Sequence, residues 1–194
     1  MSPFRQLHFF LKITGSHGIV RRYFVVNGFD GALTMLGLIM GFIISTDSNL
    51  QIIINACLGA AIALGVSGVS SAYVSEQAEH RHALGKLENA MLSDLQQSAH
   101  SQAARWVPVL IALVNGSSPL IISLLIISPV LMANAGLVMP ISPLYVSILV
   151  ALSLIFFLGV FLGRISEISW LRSGIQTLLI ALLTMSLIYL FAGV

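Results

Sequence analysis

Residues Tyr23–Ser45 read YFVVNGFDGALTMLGLIMGFIIS, a run of 23 residues with one acidic side chain, Asp30, and no basic one. A helix needs about 20 consecutive, mostly apolar residues to cross the roughly 30 Å hydrocarbon core of a bilayer. The run is continuous rather than alternating, so it is not the strand of a membrane barrel. Working outward, four more apolar runs follow at Leu50–Val74, Trp106–Met132, Leu144–Gly163 and Gly174–Gly193. The expected fold class is all-α, an integral membrane bundle of five transmembrane helices in a single membrane domain over residues 1–194. Residues 1–22 form its N-terminal segment, and residues 75–105 a helical connection between spans two and three.

Composition points the same way. The 194 residues are 57% hydrophobic and only 8% charged, against about 25% charged in a soluble domain. The first run starts after about 22 residues and outlasts the 7–15 residue apolar core of a signal peptide, so a retained span is expected. Cys57 is the single cysteine and lies within an apolar run, where it reads as a small buried hydrophobe; no intrachain disulfide can form. The formal charge of +2 comes without a basic aromatic patch, so no nucleic-acid partner is expected. Phosphate loop, dinucleotide turn, HExxH and nucleophile motifs are all missing from the sequence. An enzyme, an ATP-driven pump and a resident cofactor are therefore not expected.

The basic residues set an orientation. Arg5, Lys12, Arg21 and Arg22 precede span one, Arg81, Lys86 and Arg105 lie between spans two and three, and Arg164 and Arg172 lie between spans four and five. These are all nine Lys and Arg residues, and the alternate loops Thr46–Asn49 and Ala133–Pro143 hold none. By the positive-inside rule the N-terminus is cytoplasmic and the C-terminus outside or luminal. Phe4, Leu7, Phe9, Phe10, Leu11 and Lys12 suit either a short interfacial helix or a tail, ended before span one by Gly15 and Gly18.

Asp30 is the only charged residue in the five apolar runs. A carboxylate there costs at least roughly 2.5–3.5 kcal/mol, and such residues usually mark an ion or proton path. Asn27 and Thr34, three residues before and four after, can share its helical face. The alternative is a neutral, hydrogen-bonded structural acid. Span two runs into Glu76-Gln77-Ala78-Glu79-His80. A helix continuing there groups Glu76, Glu79 and His80 on one face, a donor set suited to Mn, Fe or Zn, although a solvated helix end has the same composition. Span three carries Asn115-Gly116-Ser117-Ser118-Pro119. Asn115 and Ser118 can line a polar path where the proline frees a carbonyl, or the segment can be a kink packed on a neighbour.

His17-Gly18-Ile19-Val20-Arg21 followed by Asn27-Gly28-Phe29-Asp30-Gly31-Ala32-Leu33-Thr34 resembles the opening of the vacuolar iron transporter family. Ala72-Tyr73-Val74-Ser75, Asn115-Gly116-Ser117-Ser118-Pro119-Leu120 and Leu158–Arg164 fall in order where that family has its "GEYVS", "GGLIPL" and fourth-to-fifth helix segments. The resemblance implies a homodimeric exporter of Fe²⁺ or Mn²⁺ that exchanges the metal for protons. Asp30 is then the pathway acid, and Glu76 and Glu79 occupy the region where the second helix enters the family's cytosolic metal-binding part; with His80 from the helical spacing, the expected metal ligands are Asp30, Glu76, Glu79 and His80. The membrane would be the plasma membrane in a prokaryote and a vacuolar-type membrane in a eukaryote. The chain departs from the family at Gly68 and Ala72, where the family has methionine and glutamate, at Phe29, where it has asparagine, and in a shorter 76–105 segment. Transport of another cation or small solute, or a scaffold role without transport, are the alternatives.

Overall fold

The computed structural model describes residues 9, 10, 12–45, 49–93, 95, 97–166 and 169–192. Five long helices carry them: α1 (His17–Ile44), α2 (Leu50–Met91), α3 (Ala99–Asn134), α4 (Pro143–Ile165) and α5 (Trp170–Ala192). All five are long and apolar enough to cross a membrane, and the described residues include no strand. The protein is an all-α integral membrane protein with five transmembrane helices. Expected residues that lie outside the described ones are Phe4, Arg5, Leu7 and Leu11 of the N-terminal segment, Thr46, Asp47 and Ser48 of the first loop, Asp94, and Gly193.

The helices outrun the apolar runs at their charged ends. α1 starts at His17, well before Tyr23, so Gly18 lies inside the helix instead of breaking it. The break falls at Gly15, whose φ of +67° is a conformation open to glycine and strained for most other residues. There the preceding turn, which includes Phe9, Phe10 and Lys12, closes through Thr14 N–H donating to the Phe10 carbonyl at 3.1 Å. The 42 residues of α2 span about 63 Å at 1.5 Å per residue, twice a hydrocarbon core, so the helix carries Glu76, Glu79 and His80 beyond its apolar part. The expected connection over 75–105 is therefore the end of α2, a turn at Leu92 with φ of +50°, and the first turns of α3.

Two compact units share these helices. The first comprises residues 1–24 and 65–117, the second residues 25–64 and 118–194. In the first unit Ala103, Val107 and Ile111 of α3 are fully buried, with Ile19, Val20 and Tyr23 of α1 against them. In the second, every helix contributes to one core: Met35, Leu36 and Ile39 from α1, Ile53 and Cys57 from α2, Ile126 and Val130 from α3, Ile155 from α4 and Ala181 from α5. Lipid is as apolar as these side chains, so close packing and interhelical hydrogen bonds, rather than water exclusion, hold such a core.

Candidate functional site

In the second unit Asp30 is exposed and lines a cleft of about 200 Å³ whose other walls come from α1, α4 and α5. The Thr34 hydroxyl donates to the Asp30 backbone carbonyl at 2.8 Å, so it serves the helix rather than the carboxylate. Asn27 is half-buried and is not among the residues lining the cleft. Ser118 is fully buried, with its Oγ 2.9 Å from where a β-carbon at Gly28 would stand. Asp30, Asn27 and Thr34 thus share a helix, but the structure places only Asp30 at the cleft.

In the first unit a second cavity, of about 360 Å³, is lined by Glu76, Glu79, His80, His100 and Ser16 among others. Glu76 is only 7% exposed. Its Oε1 accepts a hydrogen bond from the Tyr23 hydroxyl at 3.0 Å, and its Oε2 lies 3.8 Å from His80 Nε2. A buried carboxylate without an Arg or Lys is costly, and the phenol donor offsets part of that cost. His80 lies past the apolar part of α2. Burial pushes its imidazole below the usual histidine range, against the opposing pull of Glu76 and Glu79. The neutral imidazole is also the form that binds metals. The cavity brings Glu76, Glu79 and His80 together as the helical spacing anticipates. Among the described residues, however, no three His, Cys, Asp or Glu side chains converge closely enough to hold an ion as they stand. His100 joins the cavity and Tyr23 reaches Glu76 without any signal of spacing, because each comes from a different helix.

Asn115 has a structural role in the first unit. It is 3% exposed, and its side-chain amide donates to the Gly68 carbonyl at 2.8 Å. A β-carbon at Gly68 would meet Gly116 Cα at 3.1 Å and Asn115 O at 3.2 Å, and one at Gly116 would collide with the Val69 side chain and the Gly65 carbonyl. α2 and α3 therefore cross backbone to backbone, and any side chain at Gly68 requires the two backbones to shift apart by a few tenths of an ångström. α3 stays helical through Gly116 and Pro119. Asn115→Ala is expected to lower stability by about 1 kcal/mol while leaving flux per folded molecule unchanged. Thermal unfolding alongside a flux assay checks this, and lost flux at unchanged stability would return Asn115 to the pathway.

Fold and sites together define a multi-pass membrane protein with one acid, Asp30, inside its apolar runs and, at the charged end of α2, a carboxylate–imidazole cavity. The chain is 32% identical over 167 residues to the uncharacterized protein MJ0645 of Methanocaldococcus jannaschii, a match covering 84% of this chain and 83% of that protein, and it belongs to the same family. No family model and no solved structure matches the chain.

Proposed function

We propose that the protein exports a divalent transition metal, Fe²⁺ or Mn²⁺, from the cytosol in exchange for protons. The observation that carries this reading is Asp30, an exposed acidic residue within a membrane-crossing helix. A purely structural acid would be expected to be buried and hydrogen-bonded. A carboxylate that binds either a cation or a proton couples the two flows, because each must leave before the other can bind. Glu76, Glu79 and His80 gather the metal on the side that the positive-inside rule makes cytoplasmic. Two protomers of a homodimer, as the iron-transporter resemblance implies, supply more ligands than one chain holds.

The test is flux in reconstituted vesicles with Fe²⁺, Mn²⁺, Zn²⁺ and Ca²⁺, with and without a pH gradient. Fe²⁺ or Mn²⁺ movement against an opposing proton flow is expected, and its absence for all four ions would sink the proposal. Glu76→Gln keeps an acceptor for Tyr23 but removes the charge. It should raise the metal KM about tenfold, equivalent to about 1.4 kcal/mol, with little change in the rate at saturation. An unchanged KM would remove Glu76 from metal capture.

A further inference from the structure

Building on the export reading, we propose that His100 completes the metal-capture cavity as its second imidazole and makes it select Fe²⁺ over Mn²⁺. Glu76, Glu79 and His80 come from one face of α2, whereas His100 is the second residue of α3 and lines the same cavity from the other helix. Among the described residues no lysine or arginine lines it, so its two carboxylates face no fixed cation. Two carboxylates with two neutral imidazoles balance the charge of one divalent ion.

The four side chains divide into a held pair and a free pair. Glu76 is buried and held by the Tyr23 hydroxyl at 3.0 Å, which leaves its Oε2 beside His80 Nε2 at 3.8 Å. Glu79 and His100 are exposed, and neither makes a hydrogen bond or ion pair among the described residues. Their donor atoms are unspent and their rotamers are open. A cavity that does not hold an ion as it stands can therefore close on one by turning two surface side chains. The ligand set then decides the ion. Carboxylates suit Mg²⁺, Ca²⁺ and Mn²⁺, imidazole suits Fe²⁺ and Zn²⁺, and affinity for a given nitrogen and oxygen site rises from Mn²⁺ to Fe²⁺. A second imidazole widens that gap, because Fe²⁺ gains more than Mn²⁺ from each nitrogen donor. His100 is thus a specificity-determining ligand, while Tyr23 is a positioning residue that acts through Glu76.

The full-length protein in detergent is titrated anaerobically with Fe²⁺ and, separately, with Mn²⁺, each in competition with a chromophoric chelator. Fe²⁺ should bind the wild type at least about tenfold more tightly than Mn²⁺. His100→Gln should weaken Fe²⁺ about tenfold and Mn²⁺ no more than about twofold, so that the preference collapses. Tyr23→Phe keeps all four ligands and should weaken both ions alike, about tenfold, with the preference intact. His100 is exposed, so its replacement leaves the buried core untouched. A second measurement needs no variant: Fe²⁺ should slow diethyl pyrocarbonate modification of the wild-type His100 imidazole, followed by mass spectrometry. Equal wild-type affinities for the two ions, a preference unchanged in His100→Gln, or modification of His100 unaffected by Fe²⁺ would each overturn this role. Vesicles that exchange Fe²⁺ for protons while His100→Gln keeps the wild-type preference would leave the export reading standing without it. Vesicles that move no metal while Fe²⁺ binding still depends on His100 would defeat export and leave the Fe²⁺ site standing.

Discussion

Asp30→Asn is expected to reduce metal-coupled proton flux about 100-fold or more, equivalent to about 2.7 kcal/mol, while the protein folds as well as the wild type. Asparagine keeps the shape of the side chain and removes only the capacity to alternate between a proton and a cation. The cleft walls around Asp30 are apolar, so losing the charge breaks no wall contact. Removing an ionised group from a membrane-embedded position should leave stability within about 0.5 kcal/mol of the wild type or raise it. Flux in vesicles and thermal unfolding in detergent, measured on the same preparation, separate the two roles. Normal flux would exclude Asp30 from the mechanism, whereas a large loss of stability would make it a structural acid.

Gly116→Ala should have the largest effect on stability. The added β-carbon meets the Val69 side chain and the Gly65 carbonyl, and the carbonyl belongs to a helix backbone that cannot turn aside. α2 and α3 must separate within their unit, which also stretches the 2.8 Å bond from the Asn115 amide to the Gly68 carbonyl. Overpacking of this kind costs about 1–3 kcal/mol, and loss of an interhelical hydrogen bond in a membrane adds about 0.6–1.7 kcal/mol. Gly59→Ala is the matched control: nothing lies within 4 Å of its β-carbon position. That change should be neutral or stabilise the helix by up to about 1 kcal/mol. Equal melting temperatures for the two variants would show that the close crossing does not govern stability.

Relatives of this chain can be read with the same geometry. A glycine pair corresponding to Gly68 and Gly116 brings two helix backbones together and leaves no room for a β-carbon at the second of them. Ala72, one helical turn beyond Gly68, is itself 2% exposed. A carboxylate at that position would be buried.

Much of this protein was legible in its sequence. Five spans could be read because bilayer insertion depends on the apolarity of a continuous run, a property each segment carries alone. Asp30 stood out for the same reason, as the one charge inside those runs. Helical spacing placed Glu76, Glu79 and His80 on one face, and the structure sets all three around one cavity. Tertiary structure alone decided the partners. Tyr23 reaches Glu76 across 53 residues of sequence, and Asn115 reaches Gly68 across 47. It also decided that Thr34 spends its hydroxyl on the Asp30 backbone carbonyl, while Asp30 lines a cleft with Leu158 and Leu162 of α4. The physical reason is that helices in lipid associate through shape and close approach at small residues, with almost no difference in polarity between a buried face and a lipid-facing one. Sequence therefore marks where the chain enters the membrane, while contact between helices marks which side chains meet.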